Sequence, residues 1–140
     1  MKLLLAIDES RFSEAATQAV IAQYQPQGTE VKVLNVVDFP FPIPTSDAAG
    51  FRELSLKHGQ ELVQRAERLL SKAGYKTQTV VEEGDPKSKI IDQATKWKAD
   101  LIVMGSHGRK GLSRFLMGSV AQTVSHHSSC SVEIVRMPGT

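Results

Sequence analysis

Two short stretches of this chain, Leu3-Leu4-Leu5-Ala6-Ile7 and Leu101-Ile102-Val103-Met104, are apolar at every position and stop abruptly, at Asp8 and at Gly105. A strand with one wet face alternates apolar and polar residues, so an unbroken run reads as a strand covered on both faces. Such strands belong to parallel sheets with a helical layer on each side. The first run fits a central position.

The segments between and around these runs carry the matching signals. Ser10 is a candidate N-cap for a helix whose small face is Ala15, Ala16, Ala19 and Val20, stopped by Pro26 and Gly28. A second β-branched strand, Val31 to Val37, ends at Asp38. From Phe39 to Gly50 the chain reads as a restricted, apolar loop, because Pro40, Pro42 and Pro44 exclude an interior helix or strand. Phe39, Phe41 and Ile43 there either tuck against the domain or form a lid or partner surface.

Phe51, Leu54, His58, Leu62, Ala66, Leu69 and Ala73 recur at helical spacing and predict a long helix that Gly74 ends at its C′ position. Strand three is expected from Lys76 to Val81. Asp85-Pro86 supplies the N-cap and first residue of a helix with Ile90, Ile91, Ala94 and Trp97 on its apolar face. After the Leu101 run and a glycine-containing loop, Val120, Ala121 and Val124 mark a last helix, and Val132 to Val135 a last strand. Five strands alternating with four helical segments predict one α/β three-layer, Rossmann-like domain over residues 1–140, each right-handed crossover covering one face of a parallel sheet.

Composition narrows the function classes. With 41% hydrophobic and 23% charged residues the chain has an ordinary globular balance. The single cysteine, Cys130, excludes an internal disulfide framework and a multi-cysteine zinc site. Seventeen Lys and Arg against 15 Asp and Glu leave a formal charge of only +2, and Arg109, Lys110 and Arg114 cluster without an aromatic-interleaved basic stripe, so no nucleic-acid partner is expected. No stretch approaches the roughly eighteen apolar residues of a membrane span. Lys2, Asp8 and Glu9 bracket the first apolar run too closely for a signal-peptide core, so a soluble cytoplasmic protein is the expectation.

In an open parallel sheet, ligands favour the carboxyl ends of the strands where strand order reverses. That rule selects Asp8, Val36 to Asp38, Gly84 and the loop from Gly105 to Ser119. In that loop, Gly105 and Gly108 would permit backbone conformations costly for other residues and leave the amides uncovered, while Gly118 and Ser119 stand where the last helix begins. Unpaired N–H groups and the Ser119 hydroxyl there suit phosphate oxygens, with Arg109, Lys110 or Arg114 adding charge at the mouth. The same glycines would equally serve a plain turn. The loop is not a Walker A sequence, and Asp8-Glu9-Ser10-Arg11 lacks the glycines of a dinucleotide fingerprint.

Gly105, Gly108, Gly118 and Ser119 also match without a gap the signature Gly, two residues, Gly, nine residues, Gly and Ser/Thr. In this the chain resembles the ATP-binding branch of the universal stress protein family, a similarity reaching from Ile7-Asp8 through Asn35-Val36-Val37-Asp38 and Gly84-Asp85-Pro86 to the segment His127 to Val132. The resemblance implies strand order 3-2-1-4-5 and bound ATP, with Mg²⁺ or Mn²⁺ admitted through the phosphates. On matching positions Asp8 and Gly105 would hold the ribose and backbone groups of Val36 would read adenine. Gly108, Gly118 and Ser119 would hold phosphates, with Val120 beside them. It also implies a homodimer paired through the last strand and a stress-response protein as partner. Ala6 and Ser131 stand where the family often has proline, which leaves the dimer edge open.

Other residues carry two readings each. Asp8 either caps the first turn or accepts from ribose hydroxyls, and Val36 is core in either case. Asp38 reads as a solvated strand end, with organisation of a cation or loop as its alternative. His107 either packs in its loop or donates to phosphate. His126 and His127 are adjacent and point apart on a helix, against joint metal binding. Cys130 and Trp97 read as packed residues. No residue is assignable as a water-positioning base, so the sequence favours a nucleotide-dependent binding module, at most a slow ATP hydrolase. The rival is a nucleotide-independent dimeric stress or chaperone-like adaptor using Phe39 to Ile43 as its contact surface.

Overall fold

The structure, a computed structural model, describes residues 1–39, 48–108 and 117–137. The elements are β1 (Lys2–Ala6), α1 (Arg11–Gln23), β2 (Glu30–Val37), α2 (Ala48–Lys72), β3 (Lys76–Glu83), α3 (Pro86–Trp97), β4 (Leu101–Gly105), α4 (Ser119–His127) and β5 (Ser131–Val135). The strands form one parallel sheet, as the sequence predicts, in the order β3-β2-β1-β4-β5 that the family resemblance implies. Leu5 of β1 sits level with Val33 on one side and Val103 on the other.

Alternate residues of the central strands feed two cores. Leu3, Leu5, Val31, Val33 and Val103 pack under Ala16 and Val20 of α1 and Val63, Ala66 and Leu70 of α2. Leu4, Ala6, Leu34, Ile102 and Met104 pack under Ile90 and Ala94 of α3 and Ala121 and Val124 of α4. Two cores of this kind are what all-apolar strands require, since each successive side chain emerges on the opposite face.

Most boundaries follow from local chemistry. Ser10 caps α1 by accepting from the Ser13 amide. Gly74, with φ of +97°, ends α2 in a Schellman motif: the Tyr75 amide donates to Leu70 and the Gly74 amide to Ser71. Asp85 occupies the N-cap of α3, yet its carboxylate accepts from the Ser88 hydroxyl rather than from a backbone amide. Three expectations need correction. Helix α2 starts at Ala48, inside the segment assigned to the loop, since only Pro40, Pro42 and Pro44 forbid helix there. Strand β3 runs two residues past Val81, paired in register with β2 to Val37. The buried stripe of α2 is Gly59, Val63, Ala66 and Leu70, whereas Phe51, Leu54 and Leu69 are exposed.

The edge strand β5 is tied back to α1 by the Tyr24 phenol, which donates to Glu133 at 2.5 Å. That hydrogen bond, then burial, then the charge of Glu133 push the Tyr24 pKa from 10.0 up to about 12. The fold therefore favours the protonated phenol, and its contribution is complete below pH 10 and lost as pH rises through about 12. We expect the melting temperature to fall across that interval and Tyr24→Phe to remove part of the fall. Tyr75 and Cys130, both raised by burial, act in the same direction. An identical alkaline slope in Tyr24→Phe would contradict this assignment.

Candidate functional site

At the carboxyl ends of β1, β2 and β4 the chain departs in opposite directions. After β1 it enters α1 on one face of the sheet, and after β4 it leads to α4 on the other. The divergence opens a cleft of about 800 Å³, within the range of small-molecule sites. Asp8, Val36, Gly105, Gly108, Gly118, Ser119 and Val120 all line it.

The floor is a polar knot around Asp8. Its Oδ1 accepts from the Ser10 amide at 2.8 Å and from the Ser13 hydroxyl at 3.0 Å, and its own amide donates to Ser13 Oγ at 2.8 Å. The capping role weighed for Asp8 is thus present, carried by Oδ1. Its Oδ2 lies toward Gly108, 3.0 Å from where a Cβ on that residue would stand. One carboxylate oxygen shapes the first turn while the other borders the cleft.

The glycines act differently from the sequence expectation. Left-handed φ values among the described glycines occur at Gly28, Gly74 and Gly84, not at Gly105, Gly108 or Gly118. What this loop requires is close approach. A Cβ on Gly105 would lie 2.7 Å from Phe12 Cβ and 2.9 Å from the Phe12 backbone, so a side chain there would drive α1 off β4. A Cβ on Gly118 would lie 3.0 Å from the Ser106 carbonyl oxygen and 3.1 Å from His107 Cα.

Gly118 also departs from its expected part as an amide donor: its N–H donates to the Ser106 carbonyl at 2.8 Å. That bond fixes the start of α4 against the end of β4. The next three amides, of Ser119, Val120 and Ala121, form the first turn of α4, and no partner for them occurs among the described residues. They line the cleft. Such amides together with the helix dipole give a positive end suited to an anion.

His107 packs in its loop: it is buried, its Nδ1 is 3.0 Å from Ser106 Oγ, and its ring lies 5.1 Å from that of Phe12. Val36 belongs partly to the α3 and α4 core and reaches the cleft at the end of β2, and Asp38 is exposed beyond it. His126 and His127 are exposed with ring centroids 6.5 Å apart, and among the described residues no group of three His, Cys, Asp or Glu could hold a metal. Cys130 packs against the α3 and α4 core, and burial pushes its thiol pKa up, against nucleophilic use. Trp97 packs there too, flanked by the ammonium groups of Lys2 and Lys32 at 5.5 and 5.4 Å from the ring centroid.

Sequence reasoning missed the α2 wall. Phe51, Leu54, His58, Gly59 and Leu62 line the cleft, with Phe51 set edge-on to Phe39 at 6.1 Å. The apolar residues that face away from the core of α2 were the available signal. Arg109, Lys110 and Arg114, and Phe41 and Ile43 of the adaptor surface, lie outside the described residues.

Residues 1–136 match the profile of the universal stress protein family. The chain belongs to that family. It is 36% identical over 141 residues to universal stress protein MJ0531 of Methanocaldococcus jannaschii, covering 98% of this chain and 82% of that one. It is 31% identical to YxiE of Bacillus subtilis, covering 96% and 98% of the two chains. Among solved structures, hypothetical protein MJ0577 is 26% identical with a TM-score of 0.77, over 99% of this chain and 97% of that one. UspA from Lactobacillus plantarum, at 23% identity, covers 97% of each chain and shares the fold with a TM-score of 0.85.

Proposed function

We propose that this universal stress protein binds an adenine nucleotide, ATP in the first instance, in the cleft between β1, β2 and β4. The observation that carries the reading is the run of three amides at Ser119, Val120 and Ala121 that find no partner among the described residues, in residues that line a cleft also lined by Asp8. Phosphates sit on those amides and the Ser119 hydroxyl, next to Gly108. The ribose lies against Asp8 and Gly105, and adenine against the backbone of Val36. Gly118 contributes by pinning the turn rather than by its own amide. Two structural relatives support the adenine class: an Arabidopsis thaliana universal stress protein family member solved with AMP bound, 18% identical with a TM-score of 0.77, and a universal stress protein in complex with cAMP, 22% identical with a TM-score of 0.71.

Charge decides what accompanies the nucleotide. The described lining carries Asp8, Glu9, Asp38 and Asp85 against Lys87. A triphosphate beside such a lining gains from a dication riding on its own oxygens, so Mg²⁺ or Mn²⁺ enters with the phosphates. Binding then couples to folding by mass action and changes the surface a stress-response partner meets in the cytoplasm, with hydrolysis at most slow.

The amide run has a direct test. Ser119 is the first residue of α4, where proline is well tolerated, and Gly118 at φ −61°, ψ 153° already has the backbone that a following proline prefers. Ser119→Pro therefore removes one amide and one hydroxyl while keeping the helix. Calorimetric titration with ATP and Mg²⁺ is expected to show an affinity loss of at least about tenfold in Ser119→Pro, with Ser119→Ala intermediate and chelation of Mg²⁺ weakening the unaltered protein. Wild-type affinity in Ser119→Pro would reject this placement of the phosphates.

We further propose that two copies pair through β5, an edge strand whose Val132, Ile134 and Val135 are half-buried in the single chain. Light scattering is expected to give a dimer mass that Ile134→Lys lowers to the monomer. A monomer in the unaltered protein would refute the pairing.

A further inference from the structure

One helix residue is out of place by propensity. Gly59 lies in the interior of α2, where glycine is among the poorest choices, and it lies on the buried stripe. A Cβ at Gly59 would stand 2.6 Å from Asn35 Oδ1, 3.1 Å from Val81 Cγ1 and 3.3 Å from Val37 Cγ2. The missing side chain is thus a notch in α2, and the amide of Asn35 fills it.

Asn35 is itself unusual, a buried polar residue on a central strand. Its Nδ2 donates to the Ile7 carbonyl at 2.9 Å, while the Ile7 amide donates back to Leu34 at 2.9 Å. These two bonds hold the chain leaving β1 against β2 one residue beyond the end of the β1 ladder. Asp8 is the next residue. From there its amide and Oδ1 are committed to Ser13 and Ser10 at the start of α1. The direction of the Asp8 carboxylate is therefore fixed from two sides, by α1 through Ser10 and Ser13 and by β2 through Asn35.

We propose that Asn35, seated in the Gly59 notch, is a positioning residue that aims the Asp8 carboxylate at the ribose, so that this pair sets the preference for ribonucleotides over their deoxy counterparts. The inference rests on the nucleotide reading above. An apolar residue at 35 would fill the core as well but would leave the Ile7 carbonyl without this donor, so that of the two bonds between β2 and the chain leaving β1 only that of the Ile7 amide to Leu34 would remain. A side chain at 59 would push the amide out of line by contact with Oδ1.

The test compares ATP with 2′-deoxy-ATP and 3′-deoxy-ATP by equilibrium titration. The unaltered protein is expected to bind ATP at least about tenfold more tightly than one of the two analogues, as loss of a hydrogen bond to a carboxylate predicts. In Asn35→Ala that preference is expected to shrink to within about twofold, because ATP weakens toward the analogue. Gly59→Ala keeps the asparagine and crowds its amide most closely, with lesser contacts to Val81 and Val37, so it answers the question should Asn35→Ala fail to fold, and the same shrinkage is expected. Equal losses for ATP and both analogues would overturn the proposal and mark the pair as packing alone. An unchanged preference in folded variants would overturn it too. Failure of the unaltered protein to bind ATP would overturn this proposal together with the nucleotide reading, a result distinct from the other two.

Discussion

The structure depends on β1 being paired on both edges and covered on both faces. Leu3, Leu4 and Leu5 are wholly inaccessible to solvent, with β2 and β4 in register on either side. A strand so enclosed cannot shift by one residue without placing its side chains in the wrong core, because the two cores take alternate positions. Enclosure ends at Ile7, and the first residue beyond it with a charged side chain is Asp8. The carboxylate's place at the cleft floor is a consequence of where the apolar run stops.

From that point the site assembles from short-range constraints. Phe12 at the start of α1 lies against Gly105, so α1 can approach the end of β4 only because no side chain intervenes. Ser106 then accepts the Gly118 amide and fixes the first turn of α4 beside the same crevice. Each contact orients a different wall: the carboxylate from β1, the open amides from α4, the backbone of Val36 from β2. None of the three would face the others without the reversal of strand order between β1 and β4.

Most of the architecture was legible because its signals are local. Apolar runs mark strands, and Ser10, Gly74 and Pro86 mark helix ends through capping, a left-handed turn and a fixed φ. The phase of α2 was not, because Leu62-Val63 and Leu69-Leu70 are adjacent apolar pairs and periodicity cannot tell which member turns inward. Gly59, which belongs to the true stripe, carries no hydrophobic signal at all. At the site, glycine spacing located the loop, but of the two reasons it suggested the permissive backbone does not apply, since a glycine kept for close approach and one kept for positive φ look the same in a sequence. That the Gly118 amide bonds to Ser106 depends on three-dimensional contact, as does the use of Asn35 and the α2 wall.

Whether the first turn of α4 receives the phosphates is tested by an amide-resolved ¹⁵N–¹H titration of the isotopically labelled protein with ATP and Mg²⁺. The largest shifts are expected at Ser119, Val120, Ala121, Gly108 and Val36, with the Gly118 amide keeping the slow hydrogen exchange of a group already bonded within the fold. Shifts that spare the first turn of α4, or saturating ATP that moves none of these amides, would contradict that placement.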